Sequence, residues 1–87
     1  MVSQKVTIKN EQGLHMRPAG VFAKAMTKFP CDVQVCVNEK TVNGKSIMNL
    51  IGACIKCGTE IEIVCNGDQE EAALAEAIAL VESGMGE

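Results

Sequence analysis

The residues best suited to chemistry lie in one short segment, residues 13–20. It holds the chain's single histidine, His15, followed two residues later by Arg17 and three residues later by Pro18. Because proline has a fixed φ and no N–H, it is favoured in the first turn of a helix. His15 is therefore predicted at or just before a helix start, where the positive end of the helix dipole favours a neutral imidazole. A neutral imidazole can act as a nucleophile.

An anion attached to His15 would find partners close by in the chain. The backbone N–H groups of Met16 and Arg17 would point toward it, and the guanidinium of Arg17 could bind it in bidentate fashion. This pattern suits a histidine that carries a phosphoryl group. The plainer alternatives are a histidine that only begins a helix and an arginine that is an ordinary solvated cation.

Two segments of the sequence resemble a known family. Residues 13–19, GLHMRPA, resemble the active-site segment of the histidine-containing phosphocarrier (HPr) family of the bacterial sugar phosphotransferase system. Residues 42–48, VNGKSIM, resemble the regulatory-serine segment of the same family. The resemblance covers nearly the whole chain, and the two motifs occur in the same order.

The resemblance implies a phosphoryl carrier that needs no cofactor and holds no metal. His15 would accept a phosphoryl group from enzyme I, which is charged by phosphoenolpyruvate, and pass it to the IIA components of sugar permeases. Arg17 and the Met16 and Arg17 amides would stabilise the phosphate. The chain would be a carrier more than a stand-alone enzyme. The implied partner-docking residues are Met16, Lys24, Lys28, Lys45, Ile47, Met48 and Ile51.

Ser46 has two interpretations. It is predicted to cap a short helix, and a serine at such a position is also well placed for phosphorylation. The resemblance implies regulation at Ser46 by a dedicated kinase/phosphorylase, with a catabolite-control transcription factor as a further partner. An alternative function is therefore a purely regulatory relative that acts through Ser46, although such relatives lack the phosphorylatable histidine.

The five cysteines offer a second alternative, a thiol or metal protein. Cys54 and Cys57 form a C-x-x-C pair, but the sequence has no second such pair and one histidine only. Cys31, Cys36 and Cys65 lie in or beside predicted strands, where cysteine serves as a small apolar filler. An odd number of cysteines favours a reducing compartment over a disulfide framework.

Length and charge exclude several classes of protein. At 87 residues the chain is expected to be one domain, 1–87. A net charge of −3 and the lack of tryptophan and tyrosine argue against direct nucleic-acid binding. No segment resembles a secretion signal or a membrane span, so we expect a cytoplasmic protein without membrane insertion. A small carrier that binds its partners transiently is expected to be a monomer.

Hydrophobic periodicity predicts strand, helix, strand, strand, helix, strand, helix. Alternation predicts strands over 2–9, 32–37, 40–43 and 60–66. Helical spacing predicts helices over 16–28, from Ser46 to residues 52–54, and from an Asp68 cap with Glu71 to Gly84. The last helix is predicted to bury Leu74, Ala77, Ile78 and Val81. This order favours an α+β fold. The resemblance implies an open-faced sandwich, a four-stranded antiparallel sheet with three helices on one face.

Overall fold

A computed structural model describes residues 1–11 and 13–84. Its seven elements follow the predicted order. They are β1 (Val2–Thr7), α1 (Met16–Met26), β2 (Asp32–Val37), β3 (Lys40–Asn43), α2 (Ile47–Gly52), β4 (Glu60–Asn66) and α3 (Glu70–Ser83). Three strands match their predicted bounds, while β1 and α1 are each two residues shorter at the carboxyl end than predicted.

The four strands form one antiparallel sheet in the order β1-β4-β2-β3. β4, the last strand in sequence, lies between β1 and β2: Ile61 pairs with Val6, and Ile63 pairs with Val35. The three helices cover one face of this sheet, so the predicted open-faced sandwich is confirmed.

The alternating pattern of the strands explains which face is covered. Val33, Val35 and Val37 of β2 are buried, and the same face of β4 contributes Ile61, Ile63 and Cys65. Burial of each such aliphatic side chain contributes about 1.5–3 kcal/mol. The residues between them in sequence are mostly exposed or half-buried, as expected for an antiparallel sheet with one solvated face.

The start of α3 differs from the prediction. Asp68 is not the N-cap; the cap is Gln69, with φ 64°, and the first helical residue is Glu70. Gly67 turns the chain with φ 128°, and its N–H donates to Oε1 of Glu70 at 3.0 Å. The predicted capping box of Asp68 and Glu71 is therefore wrong by one residue, because the turn at Gly67 presents its amide to Glu70.

The buried stripe of α3 is also shifted from the predicted one. Ala77 and Val81 are buried as expected, but the third fully buried residue is Ala73. Leu74 and Ile78 are half-buried at the edge of the helix–sheet contact. A small alanine on the central line allows the helix to lie close to the sheet, so the larger side chains spread to either side.

Candidate functional site

His15 is the N-cap of α1. Its backbone is extended, with φ −87° and ψ −170°, and its carbonyl oxygen accepts the first intrahelical hydrogen bond, from the Ala19 N–H at 2.9 Å. The residue is half-exposed. The prediction that His15 stands at a helix start is thus met, with Pro18 buried in the first turn.

The loop that delivers His15 is held rigidly against the segment before β4. The N–H of Leu14 donates to the carbonyl oxygen of Ile55 at 2.8 Å, and Leu14 itself is buried. Gly13 has φ 73°, and a Cβ there would lie 2.3 Å from the Ile55 oxygen and 2.7 Å from the Lys56 Cα. Only glycine fits this conformation and this close approach.

Asn10 is a positioning residue that the sequence analysis did not find. It is 5% exposed, its carbonyl oxygen accepts from the Gly13 N–H at 2.9 Å, and its Nδ2 donates to the Gly84 carbonyl at 2.7 Å. Asn10 thereby links the His15 loop to the carboxyl end of α3. No local pattern indicates such a bond, because its two residues are 74 positions apart in sequence.

The first turn of α1 supplies groups that can hold an anion beside His15. Helix geometry gives the amides of Met16 and Arg17 no intrahelical acceptor, and Pro18 removes a third amide from the turn. The side chain of Arg17 is exposed, so its guanidinium is accessible from solvent. Carboxylates, which would repel an anion, are absent from the first turn.

An exposed apolar patch lies beside this helix start, formed by Met16, Ile47 and Met48. Met16 is 69% exposed, Ile47 40% and Met48 77%. α1 and α2 pack together, and a Cβ at Gly20 would lie 3.9 Å from Cδ1 of Ile47. Met16 directly follows His15, and Ile47 and Met48 lie on α2, which packs against α1, so these exposed apolar side chains form a surface suited to partner binding.

The other predicted docking residues differ in accessibility. Lys24 is exposed in the last turn of α1. Lys28 is exposed and lies 3.7 Å from the Glu76 carboxylate. The ammonium of Lys45 donates to the Phe29 carbonyl oxygen at 2.7 Å, and Ile51 is half-buried against the core. Lys45 and Ile51 therefore have structural roles of their own.

Ser46 caps α2, as predicted. Its Oγ accepts hydrogen bonds from the backbone N–H of Asn49 at 3.3 Å and from the Asn49 side-chain amide at 2.9 Å. The residue is half-exposed. It lies immediately before Ile47, so a charge added to Ser46 would border the apolar patch.

The five cysteines fall into three groups, the first of which is Cys36 alone, half-buried on β2. Cys31 and Cys65 are buried together; burial, with the neighbouring Cys31 thiol, raises the pKa of Cys65 to about 11. Cys54 and Cys57 are exposed. Among residues 1–11 and 13–84, no group of three or more histidine, cysteine, aspartate or glutamate side chains is arranged to bind a metal ion.

Within the described part of the chain, each helix is too short or too polar to span a lipid bilayer.

Comparison with known proteins identifies the family. Residues 2–83 match the family model described as the PTS HPr component phosphorylation site. The phosphocarrier protein HPr of Mycoplasma capricolum is 42% identical over 74 residues, 85% of this chain and 83% of the relative. The HPr-like protein Crh of Bacillus subtilis is 38% identical over 82 residues, 94% and 96% of the two chains.

Solved structures agree with this match. The crystal structure of HPr from Thermoanaerobacter tengcongensis superposes with a TM-score of 0.96 at 37% identity, covering 100% of this chain and 98% of the other. The open-faced sandwich is the fold of these phosphocarrier structures. The chain belongs to the HPr family of the phosphotransferase system.

Two further matches are to a dimeric structure and to a longer relative. A structure of an HPr dimer from T. tengcongensis has a TM-score of 0.80 at 37% identity and covers 100% of both chains. Dimers therefore occur among similar proteins, which weakens the expectation of a monomer. The multiphosphoryl transfer protein of Haemophilus influenzae is 35% identical over 83 residues, 92% of this chain but 17% of that longer protein.

Proposed function

We propose that His15 is the phosphoryl acceptor and donor of this phosphocarrier. The position of His15 supports this proposal best: it is a half-exposed N-cap whose neighbours are the Met16 and Arg17 amides. Nδ1 of His15 attacks the phosphorus on a donor phosphohistidine. The new N–P bond forms as the donor N–P bond breaks, and the donor imidazole leaves. The same step in the opposite sense passes the phosphoryl group to an acceptor histidine.

The protein contributes positioning and charge stabilisation to this transfer. The bond formed and the bond broken are both N–P bonds, so the transfer is nearly balanced in free energy and reversible. The rigid loop through Gly13 and Leu14 holds the imidazole in place, and the amides and the Arg17 guanidinium stabilise the phosphoryl oxygens. Arg17 is the better residue for this role than lysine because its planar guanidinium binds phosphate in bidentate fashion.

The proposed partners are enzyme I as donor and the IIA components of sugar permeases as acceptors. The match to the multiphosphoryl transfer protein supports a role in a phosphoryl-transfer chain. The apolar patch of Met16, Ile47 and Met48 would bind both partners, with Arg17 and Lys24 at its basic rim. The proposed role would be carried out in the cytoplasm by a monomer. Because a dimer of a similar protein is known, sedimentation at micromolar concentration tests the oligomeric state.

Labelled phosphate transfer tests the proposal directly. With enzyme I and labelled phosphoenolpyruvate, the protein should take up one phosphate that is labile in acid and stable in base. His15→Ala should abolish uptake, whereas Thr41→Ala, an exposed change on β3, should not alter it. Uptake by His15→Ala would refute the assignment of His15. Acid-stable phosphate on the wild-type protein would also refute this assignment.

We further propose that phosphorylation of Ser46 regulates the carrier. Ser46 is half-exposed and directly precedes Ile47 of the apolar patch, so a phosphate on its Oγ would add negative charge where a partner must bind. A kinase/phosphorylase would act on Ser46, and a catabolite-control transcription factor would bind the product. Ser46→Asp should slow transfer from enzyme I, and Ser46→Ala should not. Equal rates for the two variants would contradict this regulation.

A further inference from the structure

The apolar patch is rich in methionine. Four large hydrophobic side chains in the described part of the chain are exposed, and three of them are methionines: Met1 at 80%, Met16 at 69% and Met48 at 77%. Two of these three lie in the patch beside His15. Their thioethers are open to solvent, whereas Met26 has 0% exposure in the core.

The packing of the two helices keeps these thioethers uncovered. Met16 is the first residue of α1, and Gly20, one turn later, has no side chain that could extend over the patch. Met48 follows Ile47, whose Cδ1 would lie 3.9 Å from a Cβ at Gly20. Neither methionine belongs to the core cluster, so a chemical change at either sulfur alters the surface without removing core packing.

We propose that Met16 and Met48 form an oxidative modification site, at which oxidants of the peroxide class lower phosphoryl transfer by making the patch polar. The inference rests on the proposed function, because it concerns the surface that enzyme I would bind. The sulfur lone pair of each thioether attacks a peroxide oxygen. An S–O bond forms, the O–O bond breaks, and one molecule of water (from hydrogen peroxide) or of alcohol (from an alkyl hydroperoxide) is released per sulfoxide. The sulfur is oxidised by two electrons and the peroxide is reduced.

A sulfoxide changes the energetics of docking. A methionine that loses water on partner binding contributes apolar burial, and its flexible side chain adapts to more than one partner. On partner binding, the sulfoxide oxygen must instead lose its bound water, which costs free energy, or accept a hydrogen bond from the partner. Transfer from enzyme I at partner concentrations below saturation is expected to fall about tenfold.

The test compares transfer rates before and after peroxide treatment. Met85, which lies outside the described residues, is replaced by leucine in every protein compared. Thiols are first capped reversibly as mixed disulfides and released with dithiothreitol after oxidation, so that sulfoxides alone persist. Peptide mass spectrometry should find oxygen added at Met1, Met16 and Met48 but not at Met26. Transfer should fall, and methionine sulfoxide reductase should restore it.

Matched variants assign the effect to the patch. Met16→Leu/Met48→Leu, measured against its own rate before treatment, should be insensitive to peroxide. The loss of transfer should not follow oxidation of Met1 in the mass spectra, because Met1 lies near Glu70 at the start of α3, outside the patch. The inference is wrong if protein oxidised at both patch methionines transfers at the untreated rate, or if the double leucine variant loses as much as the wild type. Absence of transfer in untreated protein would instead refute the proposed function.

Discussion

At the scale of single residues, the site depends on a glycine, which leaves room for close backbone contacts. Gly13 allows the chain to pass the Ile55 carbonyl with a positive φ, so that Leu14 can donate to that oxygen. Gly13 is the first residue of the GLHMRPA motif, and the structure supplies the physical reason for a glycine at this position. His15 and Ser46 occupy the helix-cap positions predicted from local residue types, because proline placement and serine capping depend on the neighbouring residues alone.

Gly13→Ala is expected to destabilise the protein and to slow phosphoryl uptake by His15. The new Cβ would lie 2.3 Å from the Ile55 oxygen, and alanine disfavours φ 73°, so the loop must move. We expect a loss of about 2–4 kcal/mol in the free energy of unfolding, measured by urea denaturation.

Gly52→Ala is the matched control. Gly52 ends α2, and an added Cβ there would meet no described atom within 4 Å. Its stability should stay within about 1 kcal/mol of the wild type. If both variants behaved alike, the close contact at Gly13 would not be what fixes the loop.

At the scale of elements, the strands followed their sequence pattern closely and α3 did not. β2, β3 and β4 match because alternation over several residues determines which face is buried. The start of α3 was predicted one residue early, since the Asp68 and Glu71 pattern is local. The observed cap depends on Gly67 and on the Met1 amino group, which lies 3.0 Å from Oε2 of Glu70.

The stability that the start of α3 contributes to the protein should depend measurably on pH. The Gly67 N–H and, to a smaller extent, the N-terminal amino group hold the pKa of Glu70 below its ordinary value of 4.5. The folded state therefore prefers the ionised carboxylate, and this contribution to stability is present above pH 4.5 and lost as pH falls through the lowered pKa. Glu70→Gln should lower stability at neutral pH and reduce its change in that acid range, as followed by thermal unfolding.

Glu71→Gln serves as the control because it removes the same charge one residue further along α3. A change of equal size in both variants would show that net charge, rather than the Gly67 contact, governs the acid dependence.

At the scale of the whole molecule, the histidine loop is tied to two segments that lie far from it in sequence. Leu14 binds the segment before β4, and Asn10 binds Gly84 beyond α3. The sequence predicted the fold class and the position of His15 at a helix start, but it contained no signal for these links. Long-range hydrogen bonds depend on how elements pack, and their partners are far apart in sequence.

Asn10→Ala is expected to weaken this connection. The variant leaves the part-buried Gly84 carbonyl without its Asn10 donor, which costs about 1–3 kcal/mol of unfolding free energy. Amide hydrogen exchange at Leu14 should accelerate, because the loop loses its attachment to α3. Asn66→Ala, an exposed change at the end of β4, should leave Leu14 exchange unaltered. Unchanged exchange in Asn10→Ala would show that the Ile55 contact alone holds the loop.

The central place of β4 has a consequence for biosynthesis. β1 and β2 are synthesised early, yet each pairs with β4, whose synthesis begins only at residue 60. The Ile55 carbonyl oxygen, which accepts the hydrogen bond from the Leu14 N–H, is also synthesised late. A nascent chain of about fifty residues thus contains His15 but lacks the partner that holds the backbone of its loop. We expect such a fragment to remain unfolded and to accept no phosphate, so that only chains able to complete the sheet enter the relay.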